Sequence, residues 1–131
     1  MMSLMINDVD LEAMGYYHMI DGSRHSLDPF KQYSEWVEAK IITKGHDRLV
    51  ENTLGLVGEA GEVAEKIKKL IRDKDKFTAD DIAKELGDVI FYATSLGNIF
   101  NHDLGSIIRM NVEKLDSRQE RGVLQGSGDN R

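Results

Sequence analysis

The stretch Leu54-Gly-Leu-Val-Gly-Glu-Ala-Gly-Glu-Val-Ala-Glu-Lys-Ile-Lys-Lys69 carries two acidic residues three positions apart, Glu59 and Glu62. A second doublet, Glu85 and Asp88, follows after an interval of 22 residues. Residues three apart lie on one face of a helix, about one turn from each other. Two such doublets on neighbouring antiparallel helices would bring four carboxylates together, and these repel one another unless a hard cation lies between them. The spacing therefore predicts a Mg²⁺ or Mn²⁺ site.

The sequence around this stretch predicts an all-α chain. One proline in 131 residues and few alternating β-branched runs argue against a sheet. Short connections favour antiparallel neighbours, so we predict an antiparallel bundle of four main helices. The first helix starts at Asp28-Pro29 and ends before Gly45 as its C′ residue, and the other three span about 48–72, 79–101 and 104–120. Thr78-Ala-Asp-Asp81 resembles a capping box before the third helix, and Asp103 is the expected cap of the fourth.

Composition places this bundle in one domain. We expect an N-terminal extension over 1–27, the helical domain over 28–121 and a flexible Gly-rich tail over 122–131. The chain has no cysteine, no apolar run of membrane-spanning length and no signal-peptide pattern, so a cytoplasmic protein without membrane contacts is expected. The net charge of −6 argues against stable nucleic-acid binding.

Two apolar stripes at helical spacing are expected to form the core, and the acidic doublets border them. Gly55 and Gly58 project the same way as Glu59 and Glu62, which suggests room for a ligand or a close helix. The stripe residues are Val50, Val57, Ala60, Ala64, Ile67 and Ile71 on the second helix, and Ile82, Leu86, Val89, Ala93 and Phe100 on the third.

Cationic and polar residues supply candidate partners for these acids or for a phosphate. The inner face of the fourth helix changes from Leu104 and Ile107 to Asn111, Lys114 and Arg118, and a buried lysine needs an anionic partner. On the second helix, Lys66 is expected to pair with Glu62, and Glu65 with Lys69. Lys66 also projects on the acidic face, so neutralisation of a substrate phosphate is the alternative to its ion pair. On the first, Trp36 and Tyr33 are either core residues or a base-stacking surface.

Two other functions fit parts of the pattern. A ferritin-like di-iron protein needs Glu-x-x-His pairs, and neither Glu62 nor Glu85 has a histidine three residues on. The alternative that stays open is a non-catalytic helical interaction module with an acidic metal-binding face. Release of pyrophosphate from a nucleoside triphosphate would separate an enzyme from such a module.

Residues 54–69, followed by Lys84-Glu-Leu-Gly-Asp-Val-Ile-Phe-Tyr92, closely resemble the MazG-like family of all-α nucleoside triphosphate pyrophosphohydrolases. Asn111-Val-Glu-Lys114-Leu115 resembles the third motif of that family, and the resemblance covers about residues 30–121. The first helix departs from the pattern, because Tyr33 is followed by Ser34 where the family often has Tyr-Gln. This departure bears on base recognition and not on the metal site.

The resemblance implies a homodimer or homotetramer (a dimer of dimers) that converts a (d)NTP to the monophosphate and pyrophosphate. It implies Mg²⁺, for which Mn²⁺ is a possible substitute. A carboxylate left partly free of metal would serve as general base, and we expect it to be a glutamate of the first doublet, Glu59 or Glu62. Tyr92 matches a position that contacts substrate in some relatives. The expected metal ligands are Glu59, Glu62, Glu85 and Asp88, and the candidate substrate-binding residues are Tyr92, Asn111, Lys114, Arg118, Arg121 and Trp36.

Overall fold

The computed structural model describes residues 28–74 and 76–131, which form four α-helices and contain no strand. The helices are α1 (Pro29–Lys40), α2 (Gly45–Arg72), α3 (Ala79–Ile99) and α4 (Leu104–Glu120). The prediction of an all-α chain with four main helices is confirmed, whereas the extension predicted for 1–27 lies outside the described residues. Across the described ranges, no helix is both long enough and apolar enough to span a membrane.

Local capping determines where three of the helices begin. The Asp28 carboxylate accepts a hydrogen bond of 3.0 Å from the backbone N–H of Phe30, with Pro29 in the first turn. A reciprocal capping box joins Thr78 and Asp81 at the start of α3. Asp103 caps α4 by accepting from the Ser106 N–H at 2.8 Å. All three helix starts agree with the capping signals in the sequence.

The connection between α1 and α2 differs from the prediction. Helix α1 ends at Lys40, and Ile41 is already extended with ψ 128°. The β-branched run Ile41-Ile-Thr43 explains this early end, because such side chains lose rotamer freedom in a helix. Gly45 adopts a positive φ of 60°, but it is the first residue of α2 and not the C′ residue of α1. The predicted role of Gly45 was therefore wrong.

Helices α2 and α3 form an antiparallel pair that organises the fold. Contacts between them run in opposite directions along the chain, from Asn52 with Ser95, through Gly55 beside Tyr92, to Lys66 with Glu85. The Ser95 hydroxyl donates a short hydrogen bond to the Asn52 side-chain oxygen, and both residues are fully buried. This pairing sets the register in which the two acidic doublets meet.

Helices α1 and α4 pack around the C-terminal half of α3. The Asn98 side chain donates to the Ser34 carbonyl at 3.0 Å, and the Leu104 N–H donates to the Ser34 hydroxyl at 2.8 Å. Arg48 binds Glu38 through two hydrogen bonds of 2.6 Å and so ties the start of α2 to α1. Polar contacts thus hold this end of the bundle together.

The two predicted apolar stripes do not form a core within the single chain. Val37 is the only fully buried hydrophobic residue among the described residues. On α2, Val57 and Ile71 are 66% and 73% exposed, and Leu86 on α3 and Phe100 at its C-cap are 46% and 62% exposed. The expectation of an interior stripe was therefore wrong for α2 within one chain, since its residues Asn52, Gly55 and Lys66 make the contacts with α3. The stripe on α3 is divided, because Ile82, Val89 and Ala93 are partly buried.

The chain after α4 folds back on the helix. Gly122 has φ 69°, and the N–H groups of Gly122 and Val123 bond to the carbonyls of Gln119 and Arg118, which is a Schellman motif. Arg118 then donates to the Asp129 carbonyl at 2.9 Å, across residues 122–131. The predicted flexibility of this tail remains a prediction.

Candidate active site

The first acidic doublet lies on α2 and the second on α3, and three of their four carboxylates meet between the two helices. One carboxylate oxygen from each of Glu59, Glu85 and Asp88 lies within 4.8 Å of the other two. Glu59 and Glu85 are partly buried, while Asp88 is exposed. These three carboxylates are called the acidic cluster below. Three of the four predicted metal ligands are thus brought together by the pairing of the two helices.

The pKa of Glu59 is raised by its surroundings in the acidic cluster. Partial burial raises the pKa of the Glu59 carboxyl, and the negative charges of Asp88, Glu85 and Glu62 raise it further. Glu62 therefore lies within electrostatic reach of the acidic cluster, although its exposed carboxylate is not one of the three that meet. Its assignment as a metal ligand remains a prediction.

A lysine that the sequence paired differently reaches the acidic cluster. The Lys66 ammonium lies 2.8 Å from Glu85 Oε1, across the helix pair, and 5.5 Å from the centre of the Phe77 ring. The hydrogen bond to Glu85 raises the pKa of Lys66. The predicted pairing of Lys66 with Glu62 was wrong, since the intrahelical i,i+4 rule gives no register between helices.

A neighbouring pair on the outer side of α2 also differs from expectation in detail. Glu65 pairs with Lys68 at 2.9 Å, one position short of the predicted Lys69. Both side chains are largely exposed, as expected for a surface pair. Substitution of either member therefore removes a charge outside the acidic cluster and is a suitable control for charge changes within it.

Tyr92 lies one helical turn beyond Asp88 and packs on Gly55. A Cβ atom added at Gly55 would come within 2.5 Å of the Tyr92 ring, so only glycine leaves room for this side chain. An added Cβ at Gly58 would meet nothing within 4 Å. Of the two glycines predicted to create room, Gly55 accommodates a packed aromatic ring and Gly58 faces open space.

An aromatic chain extends from Tyr92 to the first helix. The Phe91 and Tyr92 rings meet edge to face at 5.3 Å, and Phe91 meets Trp36 at 6.1 Å. Trp36 in turn stacks on Tyr33 at 5.7 Å. Trp36 and Tyr92 were predicted as site residues from the sequence, whereas Phe91 was missed. Its position next to Tyr92 in the stretch that carries the second doublet was the available signal.

Two of the candidate phosphate-binding residues, Lys114 and Arg118, contact the C-terminal tail. The Arg118 side chain is only 5% exposed and lies 3.3 Å from the Asp129 carboxylate, and Lys114 lies 3.6 Å from the same oxygen. Hydrogen bonding from Arg118, together with the charge of Lys114, lowers the pKa of Asp129. Asn111 is exposed, and Arg121 donates to the Ser117 hydroxyl at 3.2 Å. Their roles towards a substrate remain predictions.

The acidic cluster suits a hard divalent cation. Magnesium binds oxygen ligands at about 2.0–2.1 Å, which places opposite ligands roughly 4.2 Å apart. The cluster oxygens all lie within 4.8 Å of one another, a range that includes this spacing. After burial, the like charges of Asp88, Glu85 and Glu62 contribute to the raised pKa of Glu59, and a cation bound between the carboxylates would offset this repulsion.

Comparison with known proteins agrees with this geometry. The MazG nucleotide pyrophosphohydrolase domain matches residues 47–123, a range that includes both doublets and Lys114. The Gene 37 protein of Mycobacterium phage L5 is 52% identical over 83 residues, which cover 60% of this chain and 73% of the phage protein. No solved structure matches the chain. Because the domain match extends over more than half of the sequence, the chain belongs to the MazG nucleotide pyrophosphohydrolase domain family.

Proposed function

We propose that the protein is a Mg²⁺-dependent pyrophosphohydrolase that converts a nucleoside triphosphate to the monophosphate and pyrophosphate. The observation that carries this proposal is the meeting of Glu59, Glu85 and Asp88 within 4.8 Å on two helices of a MazG domain. Carboxylate oxygens are the protein ligands that Mg²⁺ and Mn²⁺ prefer in phosphoryl-transfer sites.

The three clustered carboxylates would hold the divalent cation, and Glu62 is proposed as the fourth ligand or as a catalytic base. A cation bound there offsets the charge of the triphosphate and lowers the barrier to attack by water. Glu62 is exposed beside the cluster and is not one of its three members. A carboxylate in that position can accept the proton of the attacking water, so Glu62 is our first choice for the general base, with Glu59 the other candidate.

Substrate contacts are proposed on both sides of the cluster. Tyr92, held in place by Gly55, is one turn from Asp88 and can lie against the sugar or base of the nucleotide. Trp36 joins the same aromatic chain through Phe91 and offers a stacking surface. On the phosphate side we propose Asn111, Lys114, Arg118 and Arg121.

The active form is proposed to be a homodimer or a dimer of dimers. Large apolar side chains on α2 and α3 are exposed in the single chain, with Leu54 and Val57 both 66% exposed. Contiguous apolar surface of this kind is typical of a face that packs against another protein. A second copy of the chain offers a matching surface through two-fold symmetry.

The experiment is incubation with each ribo- and deoxyribonucleoside triphosphate and Mg²⁺, with pyrophosphate and phosphate measured separately. The proposal requires pyrophosphate with at least one nucleotide, and phosphate alone would refute it. Glu62→Gln should reduce turnover by about 10²-fold or more, in line with loss of a general base. Glu65→Gln removes the same charge three residues away, where the glutamate pairs with Lys68, and should leave turnover unchanged.

A further inference from the structure

Lys66 contacts the acidic cluster with a positive charge. Among the salt bridges between described residues, the one that joins Lys66 Nζ to Glu85 Oε1 at 2.8 Å is the one that reaches this cluster. The lysine side chain is 26% exposed, and Phe77 lies beside its ammonium group at 5.5 Å. The ammonium is therefore held in position and still accessible to a ligand.

The α4 cations, by contrast, already have a carboxylate partner elsewhere. Lys114 and Arg118 both lie within 3.6 Å of the Asp129 carboxylate in the C-terminal tail. The salt bridge to the acidic cluster among the described residues thus comes from α2. The sequence stretch that carries the first doublet also carries this lysine, four residues after Glu62.

We propose that Lys66 is a phosphate-binding residue of the active site, which offsets the negative charge of the acidic cluster towards a triphosphate chain. The inference rests on the proposed function, since it assumes that a triphosphate and a divalent cation meet at this cluster. Bound there, the phosphate oxygens would come within reach of an ammonium group that is already beside Glu85. Ammonium groups bind phosphate as point charges, without the geometric demands of arginine.

This role has a signature that a structural role lacks. Removing the positive charge strengthens the attraction of the carboxylates for a divalent cation and weakens the attraction of the site for an anion. The two affinities therefore move in opposite directions. If Lys66 served only to hold Glu85 in place, its loss would weaken both affinities together, because a disordered ligand binds metal less well.

The test uses Lys66→Met, which keeps an aliphatic chain beside Phe77. Two further variants accompany it: Lys66→Arg, which retains the charge, and Lys68→Met, which removes the same charge from the exposed pair with Glu65. Calorimetry would measure the binding of Mn²⁺ alone, and then of inorganic triphosphate with Mn²⁺ held in excess. Inorganic triphosphate makes the result independent of the base that the protein prefers.

For Lys66→Met we expect Mn²⁺ to bind about fivefold more tightly and triphosphate about fivefold more weakly, since one charge pair at 4 Å in a water-like medium is worth that factor. Lys66→Arg should stay close to wild type, and Lys68→Met should change either affinity by less than about twofold. Weakening of both affinities in Lys66→Met, or no change in triphosphate binding, would overturn the phosphate-binding role alone. A wild-type protein that binds no Mn²⁺ would overturn the proposed metal site as well.

Discussion

Replacing Gly55 by alanine tests how closely α2 and α3 must approach beside the acidic cluster. The new Cβ atom would lie 2.5 Å from Tyr92 Cε1, and 2.6 Å from two further ring atoms. Carbon atoms prefer separations of about 3.5–4.0 Å, so the ring or the helix must move by about 1 Å. Gly58→Ala, three residues on in the same helix, adds the same methyl group where nothing lies within 4 Å.

The difference between these two variants isolates the cost of the clash. Alanine favours a helix interior over glycine by about 0.5–1 kcal/mol, and both variants gain this amount. Overpacking typically costs about 1–3 kcal/mol, and Gly55→Ala alone incurs it. Gly55→Ala should therefore be less stable than Gly58→Ala by about 1–3 kcal/mol, and Gly58→Ala should equal or exceed wild type.

Denaturant unfolding of the wild type and both variants at one protein concentration measures this difference directly. Because Tyr92 would be displaced, we also expect Gly55→Ala to raise the KM for the nucleotide. Equal stability of the two variants would refute the close contact between Gly55 and Tyr92. A marked loss in Gly58→Ala would show that another surface packs on that side of α2.

Three further predictions concern charge and assembly. Arg48 lowers the pKa of Glu38, so at pH values above the ordinary glutamate pKa of about 4.3 this ion pair stabilises the protein by up to about 1 kcal/mol. This contribution is lost as the pH falls through the lowered pKa of Glu38, and the acid unfolding of Arg48→Met should lack that part of the transition. Lys114→Met should raise KM or lower kcat if the lysine binds phosphate, whereas a lower melting temperature with unchanged kinetics would mean that it serves only to hold Asp129. Val57→Lys should shift the sedimenting species towards the 14.8 kDa monomer, and a wild type that is already monomeric at micromolar concentration would contradict the oligomer.

Local signals in the sequence were sufficient for much of the fold. Helix starts depend on hydrogen bonds within three residues, and the caps at Asp28, Thr78 and Asp103 are formed as predicted. The end of α1 was predicted too late, because Gly45 is a strong signal for a helix end and the prediction gave it more weight than the β-branched run before it. Termini that depend on competing local preferences are harder to place than capped ones.

The metal ligands of the candidate site could be predicted from the sequence better than the residues that surround them. Spacing within each helix brought Glu59, Glu85 and Asp88 into one prediction, because the i,i+3 rule needs no knowledge of packing. The contact of Lys66 with Glu85 depends on the register between two helices, which no single-helix pattern contains. The outward position of Val57 has a similar cause, since an apolar face indicates burial without saying whether the same chain or another one covers it.

The most direct test of the metal-dependent activity is Asp88→Asn. Asp88 is the exposed member of the acidic cluster, so the substitution preserves volume and avoids the Lys66–Glu85 pair. We expect the variant to keep the wild-type melting temperature in the absence of divalent cations. At the same time its Mg²⁺-dependent release of pyrophosphate from the preferred nucleoside triphosphate should fall by about 10²-fold or more, a loss typical of removing a group that stabilises charge in the transition state. A folded Asp88→Asn protein with wild-type pyrophosphate release at limiting Mg²⁺ would contradict the account.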